Sequence, residues 1–434
     1  MVVGIPPSPE FYVLFYAAAA LGVATIPVSS SGKLPAQIRS LEAASIAGDQ
    51  AFVNSVAQSG LRYRHSFICN KAHGFSIPLV PGSLSRRRII RKENILGTST
   101  SGTTGEPLLL IRPAEAIYER AKLGGDAWGI TSEDILLSTG PFTSGVNAVY
   151  HLVLPIIQGS TVVVMEKFER RKVVDMISWQ KVTVLFAVPI IFDVLARLPL
   201  DYRVDFSTLK RCISGGSHLT SAISTGFYQR FGIGIGQGYG GTHFAPAFTV
   251  NPGATPGAVG QKNGLFPVRI VNANGYEETP GNTGEIVFDL PRVKNSWAKT
   301  VLRRNPNRRG RYIYTGDLGR FDDQGNLFVV GRKGAIIKVG ANRVSPAEVE
   351  DVLRSHPRVR DAIVFPVRPG QTDEAVGAVV VRNGRLTAEE LITHCARQLD
   401  PHKCPHAISF RKSLPRNTHG KVIRYLFEQS PRQS

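Results

Sequence analysis

Cysteine is scarce in this chain, four among 434 residues, and the four show no paired spacing. That argues against a disulfide framework and for a reducing, cytoplasmic compartment. Acidic side chains are in deficit as well: 33 Asp and Glu stand against 52 Lys and Arg, a formal charge of +19. Part of the excess lies in runs, Arg86–Arg88 with Arg91 and Lys92, then Arg303, Arg304, Arg308, Arg309 and Arg311. Neutralisation of phosphate by Lys and Arg makes nucleic acid one partner to consider. No aromatic-interleaved RNA motif or helix-turn-helix pattern accompanies the charge, which disfavours it. Phosphate-bearing small molecules and acidic proteins would be steered by the same field. An uninterrupted apolar run is also lacking. Residues 11–32 carry no charge, but Gly22, Thr25, Pro27 and the serines at 29–31 break the stretch. A spanning helix needs about 20 apolar residues, and no basic residue precedes this one, as a secretory signal would require. A buried helix followed by a strand is the better reading, with no membrane span.

With 42% hydrophobic residues the chain can bury a large core, and its length suggests two or three domains. Strand-like runs (STVVVME, 160–166; VTVLFAV, 182–188; GEIVFDL, 284–290) alternate with stretches of helical spacing (117–128 and 219–232). Such alternation reads as an α/β protein. A boundary is expected after the strand NLFVV (326–330), giving domains 1–331 and 332–434. In the second, 346–359 reads as a capped helix, and 361–367 and 375–381 read as strands.

Residues 98–110, TSTSGTTGEPLLL, form a loop of hydroxyls and glycines. Glycines let backbone approach an anion while N–H groups and hydroxyls supply donors, so the loop suits phosphate. It is not the Walker loop, because Gly105 is followed by Glu106 and Pro107 rather than Lys-Ser/Thr. Taken alone, a surface linker reads about as well. Three further segments decide the matter: GQGYGGT (236–242), YTGDLGRFDDQGNLFVVGRK (314–333) and LPRNTHGKVIR (414–424), with SGGSHLT (214–220) and GRKGAIIKVGANRVSPAEVE (331–350) between them. Together and in this order they resemble the adenylate-forming superfamily of acyl- and aryl-CoA ligases, peptide-synthetase adenylation domains and luciferases. The resemblance implies a large N-terminal α/β domain of mixed sheets flanked by helices, plus a small mobile C-terminal α/β domain. It also places a helix and a strand ending in Gly-x-x-x-x-Pro-Val at Gly22–Val28. The cluster His394, Cys395, His402, Cys404 and His406 falls where the family has a helix end, a loop and a strand, and its spacing fits no usual zinc finger.

The activity so implied is attack of a carboxylate oxygen on the α-phosphorus of ATP with loss of pyrophosphate. Transfer of the acyl group to coenzyme A or a carrier-protein phosphopantetheine would follow. Both first reactants are anions, so positioning and positive charge must lower the barrier. By resemblance, Thr100, Ser101, Gly102, Thr103, Thr104 and Gly105 embrace the outer phosphates. Tyr239 lies along adenine, with Gly240 and Gly241 allowing close approach, and Thr242 donates to the α-phosphate. Asp317 accepts from the ribose hydroxyls and Arg332 meets the ribose. Ser214, Gly215 and Gly216 shape the wall between adenine and the acyl pocket, though that turn alone reads equally as a plain turn. Phe142 and Thr143 border the acid, and Lys421 bridges carboxylate and α-phosphate as charge builds. An aryl or fatty acyl acid is the expected substrate, and the basic composition leans towards an acidic acyl carrier protein.

The sequence departs from the pattern in five places. Leu108 and Leu109 follow Pro107 where the family carries Lys-Gly. His243 stands where a glutamate helps hold Mg, and oxygen ligands suit Mg better than imidazole does. Thr143 replaces the histidine of CoA ligases or the aspartate of amino-acid-activating domains, disfavouring an α-amino acid. Gly334, Ala335 and Ala341 alter the hinge loop. The family also carries several dozen residues ahead of the helix at 11, so a trimmed member or a misplaced start is expected. A catalytically impaired pseudo-enzyme of the same fold, acting as a binding or regulatory partner, is the alternative function.

Overall fold

The computed structural model describes residues 1–29, 38, 42–59, 61–70, 74–76, 94–99, 109–199, 202, 204–241, 244–251, 255, 257–262, 267–289, 307–340, 342–368, 374–416 and 422–428. The chain forms two compact units: Met1–Ala187 with Leu198–Ile213 and Gly240–Ala247, and Val188–Arg197 with Ser214–Tyr239 and Phe248–Ser434.

In the first unit, helix α1 (Pro9–Ala20) starts where the Ser8 side chain accepts from Phe11 N and Pro9 takes the first helical position. Proline lacks only an N–H that the helix start leaves unused. Phe11, Phe15 and Ala18 form its buried face, at the spacing of successive turns. The chain then enters a parallel strand, as the helix–strand reading of residues 11–32 requires. Among the described residues no helix is long and apolar enough to cross a membrane. Strands β1 (Val2–Val3), β2 (Ile26–Pro27), β3 (Glu42–Gly48), β4 (Arg62–Asn70) and β5 (Gly74–Ser76) make a sheet of order β2-β1-β3-β4-β5, antiparallel only at β5. Helix α2 (Gln50–Ala57), capped by Asp49, drives Phe52 against it. A Cβ at Gly4 or Gly48 would stand 2.2 Å from that ring, so both positions need glycine.

Strands β6 (Leu96–Ser99) and β7 (Leu109–Arg112) pair antiparallel with Ser99 opposite Leu109, so the hairpin brackets residues 100–108. Helix α3 (Ala114–Trp128) follows and stops at Gly129 in the left-handed region. Strands β8 (Ile135–Ser138), β9 (Thr161–Val164), β10 (Val184–Ala187) and β11 (Arg211–Ser214) run in the order β11-β10-β8-β9, with β8 parallel to both neighbours. Helix α4 (Arg170–Trp179) lies between β9 and β10 in the chain. Parallel strands joined through helices bury both faces, which explains the unbroken apolar run of β10.

The second unit opens with helix α5 (Pro189–Ala196), whose Phe192 meets Phe227 of helix α6 (Ser221–Phe231) at 5.2 Å between ring centres. Strands β12 (Ile235–Gly241) and β13 (Phe244–Asn251) follow in the chain. Next comes a sheet of β14 (Gly260–Gln261), β15 (Val268–Val271), β16 (Gly284–Asp289), β17 (Arg308–Arg309), β18 (Tyr312–Phe321) and β19 (Asn326–Arg332). Its order is β14-β19-β18-β16-β15, with β17 on β18.

After β19 come the hairpin β20 (Ile337–Val339) and β21 (Asn342–Val344), helix α7 (Pro346–Ser355) and strands β22 (Val359–Val367) and β23 (Ala375–Arg382). Helix α8 (Ala388–Ala396) and strand β24 (Ala407–Phe410) complete this segment. Val349 and Leu353 of α7 and Leu391 and Cys395 of α8 are buried against Ala362, Val364, Ala378 and Val380. Thr387 and Glu390 close a capping box on α8. His394 and Cys395 thus end a helix, while His402, Cys404 and His406 lead into β24. Among the described residues no group of three or more His, Cys, Asp or Glu is placed to hold a metal ion.

Candidate active site

The Thr-Gly-Asp segment lies on β18, where burial alternates strictly from Tyr312 to Phe321. The two-residue period turns Ile313, Thr315, Asp317 and Phe321 to the buried face, so a carboxylate is carried inward by the same rule that buries its apolar neighbours. Thr315 Oγ1 donates to Ile286 O at 2.7 Å and accepts from Asp317 N at 3.0 Å. Gly316, at φ +75°, supplies the left-handed step between them, and its N–H donates to Glu285 Oε1 at 3.1 Å.

Register then adds the cation. Asp317 is the cross-strand partner of Arg332 on β19, and Arg332 Nε reaches Asp317 Oδ1 at 2.6 Å. Lys333, next along, pairs with Glu285 Oε2 at 2.7 Å. Tyr239 donates its hydroxyl to Asp317 Oδ2 at 2.6 Å. Burial, then the Asp317 charge and its hydrogen bond, hold that phenol well above its ordinary pKa, so it stays protonated as a donor. Tyr239, Asp317 and Arg332, far apart in sequence, are therefore brought together. Such a carboxylate accepts hydroxyl donors well, because hydrogen bonds to an ionised group are the stronger kind.

Ser214 ends β11, wholly buried, with its hydroxyl lacking a hydrogen-bond partner among the described residues. Gly215 and Gly216 follow, the latter at φ +84°, and Thr220 caps α6 by accepting from Ile223 N at 3.3 Å. A buried orphan hydroxyl beside a glycine turn suits a small polar ligand group. These residues fit a nucleotide: a buried carboxylate, a ring, and backbone without side chains.

Within the first unit, Phe142 is 2% exposed, its ring 5.0 Å from Phe11 and 5.6 Å from Tyr12. Thr143 is half-buried beside it, and Gly240 and Gly241 end β12. Beyond them, residues Ala148–Val153 form a π-helical turn. Its cause is legible: Pro155 has no N–H to give to the carbonyl of His151 four residues back. Tyr12 donates its hydroxyl to that carbonyl at 2.5 Å, and Tyr16, one turn on, donates to Leu152 O at 2.8 Å. Arg120 is also fully buried, its Nε and Nη1 without partners among the described residues. Burial lowers the Arg120 pKa, and nearby Tyr150 opposes the shift. Arg112, which donates to Thr98 Oγ1 at 2.8 Å, is lowered to about 9 by burial and by Arg120. No motif flagged Arg120; Tyr150 and His151 close the segment PFTSGVNAVYH (141–151) that resembles the family's acyl-pocket motif, but only Phe142 and Thr143 were singled out in it, and Pro155 inside an apolar run was a further signal.

The His151 ring is wholly buried, with neither nitrogen partnered among the described residues, and burial lowers its pKa to about 4. Unfolded, it titrates near 6.5, so between these values only the unfolded state takes the proton. Its contribution is intact above pH ~6.5 and is lost as pH falls towards 4, about 3 kcal/mol in all. His151→Phe is expected to flatten the urea midpoint over that window; a slope equal to wild type would refute the assignment.

Thr100, Ser101, Gly102, Thr103, Thr104, Gly105, Leu108, Thr242, His243 and Lys421 lie outside the described residues.

Two family models match this chain: AMP-binding enzyme over residues 96–295 and AMP-binding enzyme C-terminal domain over 348–421. An adenylate-forming type of α/β architecture is thus matched in both of its parts. The chain belongs to the AMP-binding enzyme family. It is similar to acyl-coenzyme A synthetase ACSM3, mitochondrial, of Pongo abelii, 27% identical over 75% of this chain and 58% of that one. A long-chain-fatty-acid–CoA ligase of Escherichia coli O157:H7 is 30% identical over 56% of this chain and 44% of the ligase. The chain therefore spans about half the length of these curated relatives. Among solved structures, ATP-bound MatB from Rhodopseudomonas palustris superposes with a TM-score of 0.85, covering 99% of this chain and 88% of that one at 23% identity.

Proposed function

We propose that this protein is an ATP-dependent acid–thiol ligase, activating an aryl or fatty acyl carboxylate as the acyl-adenylate and passing it to a thiol. The observation that supports this most is the Asp317 carboxylate on its inward strand face, held between the Tyr239 hydroxyl and Arg332. A buried, oriented carboxylate is what two neighbouring ribose hydroxyls require as acceptor. Names of the relatives, a fatty-acid–CoA ligase and an acyl-CoA synthetase, support the acid class and coenzyme A. A carrier-protein phosphopantetheine is the alternative acceptor.

In this proposal Thr100, Ser101, Gly102, Thr103, Thr104 and Gly105, which follow β6 in the chain, receive the outer phosphates. Tyr239, Gly240 and Gly241 line adenine, Thr242 meets the α-phosphate, and Ser214, Gly215 and Gly216 separate adenine from acid. Phe142 and Thr143 border the acid, and Lys421 offsets the charge that builds as carboxylate oxygen bonds to phosphorus and pyrophosphate leaves. Domains 1–331 and 332–434 meet at Arg332. With His243 in the usual glutamate place, Mg is proposed to arrive on the nucleotide; the enzyme works in the cytoplasm.

ATP–pyrophosphate exchange, with Mg, against a panel of aryl, short-chain and long-chain acids tests this. Exchange above background with at least one acid is expected. ATP binding without exchange across the panel would overturn the ligase and favour a pseudo-enzyme, a reading supported by both Asp317 oxygens being engaged by side chains of this chain.

A further inference from the structure

The AMP-binding match ends at residue 295 and the C-terminal match begins at 348, yet one side-chain pair joins the two parts within the second unit. His218 Nε2 lies 2.9 Å from Asp351 Oδ2, in a bridge whose side chains are 36% and 31% exposed. His218 follows directly on Ser214–Ser217 and is held from both sides: Gly215 is buried before it, and Thr220 caps α6 behind it. Asp351 lies on α7, whose Val349 and Leu353 are locked in the core, so neither end of the bridge is on a loose chain.

The helix carries the connection onward. Glu350, beside Asp351 in the chain, pairs through Oε1 with Arg424 Nη2 at 2.5 Å and accepts from Val364 N at 2.9 Å. Arg424 also donates to Val364 O at 2.9 Å. Arg354, one turn on, ties the helix to β22, 3.5 Å from Glu350 and 3.3 Å from Asp361 of that strand. Arg424 is three residues beyond Lys421, and Val422 bridges Arg416. One turn of α7 therefore touches the segment after the glycine turn with one acid and Arg424 with the next.

We propose that His218 and Asp351 are positioning residues, a clasp that fixes α7, and through Glu350 the residues 422–424 that follow Lys421 in the chain, against the Ser214–Ser217 turn. For its catalytic consequence alone, the proposal rests on the ligase reading above. Burial pulls the His218 imidazole down, but the hydrogen bond and charge of Asp351 outweigh it, and its pKa is raised. The charged groups acting on His218 are Asp351, Arg354 and Glu350 of α7. Its own segment, 214–220, has no other ionisable side chain, and Arg332 of β19 is paired with Asp317. With the folded pKa above 6.5, the clasp is complete below that pH and is lost as pH rises through the raised value.

The test uses the full chain as His218→Ala, Asp351→Ala, the double variant and the swap His218→Asp with Asp351→His. Hydrogen exchange of the α7 amides, corrected for intrinsic rates, is read at pH 6 and pH 8. ATP–pyrophosphate exchange is read alongside it. Each single variant is expected to lose about fivefold in α7 protection and in kcat, with KM for ATP unchanged. The double should lose no more than either single, the swap should recover most of the loss, and the pH step in protection should vanish in His218→Ala. Additive singles, an unrescued swap or an unchanged pH step would overturn the clasp. A wild type without exchange activity would count against the ligase, while the amide protection still decides the clasp.

Discussion

Asp317→Asn is expected to weaken ATP binding by about 100-fold or more, measured by calorimetry, with little change in unfolding midpoint. The carboxylate accepts from Tyr239 and pairs with Arg332, both at 2.6 Å, and is 9% exposed. Two ribose hydroxyls donating to it would form charge-assisted hydrogen bonds, each worth about 1.5–3 kcal/mol net. Asparagine retains one oxygen for Tyr239 but turns an amide donor towards the other hydroxyl and towards Arg332. Both ribose contacts therefore weaken while the phenol keeps its partner. Asp317→Ala separates the two effects. It removes the acceptor of a buried phenol, which costs about 1–3 kcal/mol of stability, and Tyr239→Phe in the same chain should recover that stability without recovering binding. ATP affinity within threefold of wild type in Asp317→Asn would remove Asp317 from the nucleotide site.

How far the site could be read beforehand differs residue by residue, and the reason is physical. The strand at 284–290, the helix at 346 and the helix–strand pair at 9–27 were legible because each shows its own period, caps or breakers. Residues 98–110 read as a phosphate-type loop from composition; the structure pairs Thr98 and Ser99 with Leu110 and Leu109 as strand, a register with no local signature, and residues 100–108 lie outside the described residues. Asp317 was singled out by its motif, but its pairing with Arg332 depends on strand register, and the Tyr239 contact on two segments 78 residues apart. Neither has a local signature. The buried polar residues of the π-helical turn were missed for a related reason. VYHLVL has the look of an apolar helix, and the rearrangement depends on Pro155 depriving one carbonyl and on tyrosines from α1 supplying it. His218 and Asp351, likewise ordinary in sequence, acquire meaning only as a pair.

Lys421→Ala should slow adenylate formation by about 100- to 1,000-fold, the loss seen when one preorganised electrostatic contact to a developing charge is removed. ATP affinity should stay within about twofold, because in the proposal the lysine acts on charge that appears only as the carboxylate oxygen approaches phosphorus. In the proposal a cation from elsewhere is especially needed: Leu108 and Leu109 stand after Pro107, so residues 98–110 bring no lysine of their own. Arg424, three residues further along the chain, is anchored to α7 through Glu350. Transfer of the acyl group from a supplied acyl-adenylate to the thiol involves no attack on phosphorus, so that step should retain most of its rate in the variant. Loss of the first half-reaction with retention of the second separates a role in chemistry from misfolding. A variant that exchanges pyrophosphate within tenfold of wild type would mean that charge neutralisation comes from elsewhere, and Arg112, buried at the root of the β6–β7 hairpin, would be the next side chain to replace.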